Sequence, residues 1–223
     1  MEQERIERLQ TFINEGRIVR HVWLGIDAQG RETACLLAAL SPEAGEAEDA
    51  CACPAAVMPG WFANLTPWID DEASDIEWHR TVRRYGACAA RWSALDDAAW
   101  RRIEIASRRA AVTEAMQHTT SEKSLGVCCG VLAWLDADMP EQPRAAAWEA
   151  ARATAWAEET SPASLAAKTA AFAAEPAEAE TGAAFAAGAA AHAARAADGT
   201  TYAATADRII DAVLSALERE CGI

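Results

Sequence analysis

The chain has 223 residues, of which 52% are hydrophobic and 24% charged, with a formal net charge of −14. These proportions belong to a folded chain rather than a disordered one, and no apolar run reaches the ~18 residues of a transmembrane helix. The acidic balance opposes direct binding to nucleic acid, which needs positive charge to displace counterions.

Residues 2–15 predict a helix with Ile6, Leu9 and Ile13 on one face, Phe12 beside them and Gly16 as the stop. Residues 18–26 carry a β-branched cluster with Trp23, followed by the turn Asp27-Ala28-Gln29-Gly30. A short strand there and a helix running on into 32–40 are both compatible with the pattern. Residues 41–60, with Pro, Gly, an acidic run and Cys51-Ala52-Cys53-Pro54, read as an exposed loop. Trp61 to Ile69 predicts a short helix ending near Asp70-Asp71-Glu72.

Residues 75–92 read as a helix burying Ile76, Val82 or His79, Tyr85 or Gly86, and Ala89. Asp96 or Asp97 caps a long helix to about Met116, whose basic stripe of Arg101, Arg102, Arg108 and Arg109 opposes Ile103, Ala106 and Ala110. Thr119 and Glu122, three apart, suggest a capping box opening a helix with Leu125, Cys128 or Cys129, Leu132 and Leu135 on one face. Gly126 and Gly130 on that helix predict close helix packing.

Alanine makes up roughly a quarter of the chain and concentrates after Arg144. It favours helix because it loses no side-chain entropy, and its methyl group lets helices approach closely. Residues 144–159 predict a helix with Trp148 and Trp156 on one face. Ser161-Pro162 is a cap followed by a first-turn proline, with Leu165, Thr169 and Phe172 along the helix it opens. Pro176 starts another helix, in which Phe185 and His192 share a face, ending at Gly199. Thr200 or Thr201 caps the last helix, where Tyr202, Ala206, Ile209, Val213 and Leu217 form an amphipathic stripe. The expected fold is all-α, a compact bundle or stacked helical hairpins with at most one short N-terminal strand pair. Residues 1–143, including the acidic Cys-containing loop 41–60, and the Ala-rich 144–223 read as one continuous domain. No fixed repeat period is visible.

The chemistry-bearing patterns are sparse. Cys51/Cys53 and Cys128/Cys129 lack zinc-ligand spacing, and the four histidines form no metal motif, so no metal or cofactor is expected. Neither a Gly-x-Ser-x-Gly elbow nor a phosphate-binding glycine loop occurs. The Met1-Glu2-Gln3-Glu4-Arg5 start leads into no signal-like apolar segment, and seven irregularly spaced cysteines fit a reducing compartment, so a cytoplasmic protein is expected. The densest acidic cluster is Asp70, Asp71, Glu72, Asp75 and Glu77, with Glu43-Glu46-Glu48-Asp49 second.

The stretches Ala190-Ala191-His192-Ala193-Ala194-Arg195, Ala206 to Asp211, Pro67 to Asp71 and Ala99 to Arg102 resemble Ala-rich helical immunity proteins and phage accessory proteins. The resemblance covers about 60–223 and leaves 1–58 outside. It implies a helical protein that neutralises a toxin or host enzyme by binding, with no catalytic residues to carry over. The expected function is therefore that of an acidic inhibitor or immunity-type protein, phage- or mobile-element-encoded, occluding a basic site on a protein partner. The expected contact is Asp70, Asp71, Glu72, Asp75 and Glu77, with Trp68 and Trp78 as anchors. The alternatives are a helical enzyme with a carboxylate–His or metal pocket, favoured if His79 or His118 meets two carboxylates, and a structural or scaffold component. The sequence leaves the oligomeric state open.

Overall fold

The computed structural model describes residues 2–136, 141–155, 161–175, 180–199 and 202–223. Among them it shows an all-α fold with one two-stranded antiparallel sheet. The N-terminal part contains α1 (Glu2–Asn14), β1 (Leu24–Ile26), β2 (Glu32–Ala34), α2 (Leu36–Leu40), α3 (Pro42–Ala47), α4 (Gly60–Glu72) and α5 (Trp78–Ala89). The remainder is α6 (Asp97–Met116), α7 (Glu122–Asp136), α8 (Glu141–Ala155), α9 (Pro162–Ala173), α10 (Gly182–Ala197) and α11 (Tyr202–Cys221).

The 18–40 region divides between the two alternatives. The Asp27–Gly30 turn closes a hairpin pairing Leu24 with Ala34, and Cys35 then caps α2 by accepting a hydrogen bond from Ala38 N. The segment expected as a loop at 41–60 contains α3 and a 3-10 turn at Ala50–Ala52. Ser41 accepts from Ala44 N and Pro42 occupies the first turn, the same cap-and-proline start that opens α9 at Ser161-Pro162. The acidic composition hid that signal.

Other boundaries shift for identifiable reasons. α4 continues through the acidic trio to Glu72, and α5 begins only at Trp78. Ile76 therefore falls outside α5 and is 89% exposed rather than buried, and His79 also faces solvent. Asp96 caps α6, its side chain accepting from Ala99 N. Ser121, not Thr119, caps α7. Gly126 and Gly130 have open space around them, so they mediate no close packing. Trp156, Pro176, Thr200 and Thr201 lie outside the described residues, as do the sequence expectations attached to them.

Two kinds of core meet at α6. On its N-terminal side α4, α5 and the turn at Trp92–Ala94 bring together Trp61, Phe62, Tyr85, Trp92 and Trp100. Phe62 stacks on Tyr85 at 6.1 Å, and Trp92 meets Phe62 and Tyr85 edge-on at 5.6 and 5.2 Å. Such pairs add ~0.5–1.5 kcal/mol each beyond the area they bury. The Tyr85 hydroxyl shares a 3.1 Å hydrogen bond with Thr66 Oγ1, which satisfies the one polar atom that ring brings inside. On the other side, α10 is packed by α9, α6, α11 and α4. Ala183, Ala186, Ala187, Ala190, Ala191, Ala193 and Ala194 are all buried, so the methyl surface continues almost all round this central helix. Phe185 and His192 share its remaining outer face.

Arg108 joins the two cores. It belongs to the expected exposed stripe of α6, yet its side chain is fully buried. The buried face of α6 runs through Trp100, Ile103, Glu104, Ser107, Arg108, Ala111, Val112 and Ala115. Arg108 Nη1 donates to the carbonyls of Ala173 (3.0 Å) and Glu175 (2.9 Å) and, more weakly, Phe172 (3.4 Å), at the C-terminal end of α9. Its Nη2 lies 2.7 Å from Glu104 Oε1, an ion pair outside hydrogen-bond alignment, and Arg101 Nη1 donates to the other Glu104 oxygen at 2.7 Å. A cation at a helix C-terminus faces the negative end of the dipole, which favours a guanidinium at this position.

Elsewhere the elements are held by paired forks. Arg84 on α5 binds Glu218 of α11 through Nε and Nη2, both at 2.7 Å, and Arg102 on α6 binds Glu220 at 2.9 and 2.7 Å. Arg5 on α1 grips Glu43 on α3 in the same way, holding that carboxylate down at about 2. A tight backbone contact locks α3: a Cβ at Gly45 would lie 2.8 Å from the Ala38 methyl and 3.2 Å from Leu24. Neither the short, rigid Ala38 nor the strand carrying Leu24 yields cheaply. Gly45→Ala should therefore lower stability by about 1–3 kcal/mol despite alanine's better helix propensity, measured by urea unfolding; unchanged or raised stability would contradict this packing.

Candidate functional site

The acidic segment singled out from sequence sits at the C-terminal end of α4 and in the turn leading to α5. A helix C-terminus carries negative partial charge, so Asp70, Asp71 and Glu72 stand where carboxylates are disfavoured. Each is compensated by a group from another part of the chain. Asp70 is 0% exposed. Its Oδ2 accepts from Leu36 N at the start of α2 (3.1 Å), and its Oδ1 accepts from Trp78 Nε1 (3.2 Å). Asp71 accepts from the backbone N–H of His21 at 2.7 Å, and His21 Nδ1 lies 3.3 Å away. Glu72 takes a hydrogen bond from Tyr202 on α11.

Arg20 organises the turn. Its Nη1 donates to Ala73 O at 2.7 Å and closes the end of α4; its Nη2 pairs with Asp75, and its guanidinium lies over the Trp78 ring at 5.3 Å. Glu77 pairs with Arg80, and Ser74 N donates to Asp207 of α11 at 2.9 Å. Trp68 is half-buried beside Gly188 of α10. The seven expected contact residues are thus brought together in space, but as a junction that docks 18–23, α2, α5 and α11 onto α4. Within that expected contact Asp70 is inside, whereas Asp71, Glu72, Asp75 and Glu77 each hold an internal partner while staying at the surface, Asp75 most of all. Trp78 serves that junction through its indole N–H.

Beside the junction, His21, Val22, Trp23, Cys35, Pro67 and Asp71 line a crevice of about 110 Å³. His21 adopts a left-handed backbone with φ 62°, a cost for a non-glycine residue that the Asp71 contact offsets. Nothing in the residue spacing marks His21 for this position, since it lies 50 residues from Asp71. Burial pushes the Cys35 thiol up to about 11, so it is protonated at neutral pH and serves as a cap on α2. Burial likewise raises Asp70 to about 7, with the Asp71 charge adding to it and the Leu36 and Trp78 hydrogen bonds opposing it. Among the described residues the histidine paired with a carboxylate is His21; His79 is exposed, and His118 faces Thr205, Nε2 to Oγ1 at 3.4 Å. Among the described residues no group of three or more His, Cys, Asp or Glu is arranged to hold a metal ion, and no helix is long and apolar enough to cross a membrane.

No family model, curated protein or solved structure matches the chain.

The raised Asp70 carboxyl has a measurable consequence. Between its unfolded value near 3.8 and its folded value near 7, the native state holds a proton that the unfolded state has lost. Stability should fall as pH rises through that window and level off above it, by up to about 4 kcal/mol in all. Asp70→Asn removes the titration while keeping an acceptor for Leu36 N. Urea unfolding from pH 5 to 8 should show a decline in the parent that is missing in the variant; parallel slopes would rule out Asp70 as its source.

Proposed function

We propose that the protein acts by binding, as an acidic inhibitor or immunity-type protein that covers a basic site on a protein partner in a reducing, cytoplasmic setting. The carrying observation is how the chain disposes of its positive charge. Its basic residues number 20 against 34 acidic ones. Arg5, Arg8, Arg17, Arg20, Arg31, Arg80, Arg84, Arg101, Arg102, Arg108, Arg109 and Arg208 all pair with carboxylates of this chain. These twelve of the 18 arginines are engaged internally, and the surplus carboxylates set the outer potential, which steers basic partners and repels polyanions.

Because the 70–77 cluster is committed to the α4 junction, the contact moves to the second acidic patch. Glu46 and Glu48 at the end of α3 are exposed, and the Arg5–Glu43 fork brings α1, with exposed Glu4, alongside. Asp49 is the less available neighbour, since it accepts from Cys51 N. The seven free thiols support the reducing setting. The resemblance to immunity and phage accessory proteins points the same way and supplies the finer class of the proposal.

The test is affinity capture from the source organism's lysate with the parent and with Glu4→Lys/Glu46→Lys/Glu48→Lys, quantified by mass spectrometry. The parent should enrich a basic protein that is released by high salt and lost with the triple variant, whose thermal stability stays near the parent's. Capture that survives both salt and charge reversal would defeat the electrostatic reading. Reversing Asp71, Asp75 and Glu77 instead should lower stability, because those carboxylates hold the α4 junction.

A further inference from the structure

Two buried thiols stand outside both the junction and the proposed contact. Cys88 lies in the last turn of α5, and Cys221, 133 residues away in sequence, ends α11. The Cys221 thiol donates to the Cys88 backbone carbonyl with an Sγ···O distance of 3.8 Å, which brings the last turns of α5 and α11 together at these two residues. Their register is fixed from several directions. Arg84 from α5 grips Glu218 and Arg102 from α6 grips Glu220, one on each side in the final turn of α11. Arg91 Nη1 donates to the carbonyls of Cys221 (3.3 Å) and Gly222 (3.5 Å) and closes the turn over the pair. The remaining thiols have other surroundings: Cys35 caps α2, Cys51 faces Asn64, Cys53 faces the Pro54 carbonyl, Cys128 faces the Ala166 carbonyl, and Cys129 is exposed.

We propose that Cys88 and Cys221 form a redox latch: a dithiol in the reduced protein that a small oxidised disulfide such as oxidised glutathione converts into a bond pinning α11 to α5. In the first step the Cys221 thiolate attacks one glutathione sulfur. The glutathione S–S bond breaks, one glutathione leaves as thiolate, and it takes up the proton that Cys221 gave to solvent. The Cys88 thiolate then attacks the Cys221 sulfur of the mixed disulfide, the Cys88–Cys221 bond forms, and the second glutathione leaves as a thiol. Two protein thiols are oxidised and one small disulfide is reduced to two thiols.

Cys221 is the entering sulfur because it is 8% exposed, against 0% for Cys88, and is the last residue of α11, where a helix frays. Burial pushes Cys88 up to about 12 and also raises Cys221, so exchange proceeds through opening of the last turn and the latch responds to sustained rather than brief oxidation. Once closed, it encloses α6 to α11 in one covalent loop and removes conformational freedom from the unfolded chain.

The test uses the full chain under native conditions. The protein is incubated with oxidised glutathione, its remaining thiols are alkylated, and it is digested without reduction. The expected result is a linked pair of Cys88 and Cys221 peptides and a rise in Tm of roughly 5–15 °C that dithiothreitol reverses. Cys88→Ala should trap glutathione on Cys221, whereas Cys221→Ser should leave Cys88 unmodified. The proposal is overturned if both thiols of the parent stay fully alkylatable while exposed Cys51 and Cys129 react, or if a mixed disulfide at Cys221 never transfers to Cys88.

Discussion

The buried guanidinium of Arg108 is the contact on which the Ala-rich half depends. Alanine helices bury little area per residue and carry few directional contacts, so methyl packing alone leaves the ends of α9 and α10 weakly specified. The C-terminal carbonyls of α9 point into the protein, where an unpaired polar group costs ~1–3 kcal/mol. Arg108 reaches three of them from α6, and Glu104 balances its charge, with Arg101 completing the set. The same helix face carries Trp100 and Ile103 into the aromatic core. One helix thus anchors two cores of opposite character, and α10 is held in the angle between α6 and α9.

Charge pairing extends that logic to the exterior. The long-range links join α1 to α3, α5 to α11 and α6 to α11 through arginine–carboxylate forks whose two parallel hydrogen bonds fix orientation as well as proximity. The consequence is a division of labour among the acids. Those at the α4 junction hold elements together, and burial raises the Asp70 carboxyl well above the usual carboxylate range. Those at the end of α3 face water. A protein that binds basic surfaces needs the second kind.

Much of the fold was legible because helix starts are written locally. Asp96 before α6 and Ser161-Pro162 before α9 are cap signals whose geometry the structure reproduces, and the stripe from Ala206 to Leu217 is buried as its period requires. The same Ser-Pro signal at Ser41-Pro42 was masked by the acidic, glycine-containing residues that follow. Burial of charge was the harder matter. The run Trp100, Glu104, Arg108, Ala111, Ala115 follows three- and four-residue spacing and marks a buried face, yet Arg108 reads as exposed when arginines are grouped by type. Asp70 looked like its neighbours because its partners, Leu36 N and the Trp78 indole, come from elements that sequence spacing does not bring together. The His21–Asp71 contact was illegible for the same reason.

Amide hydrogen exchange on Arg108→Met, resolved residue by residue, tests the central claim most directly. Losing one partner of a buried ion pair costs ~3–5 kcal/mol, so protection in α9 and α10 should fall by roughly two to four orders of magnitude while α1 to α5 keep theirs. Protection that is unchanged in α9 and α10, or that falls equally throughout the chain, would contradict it.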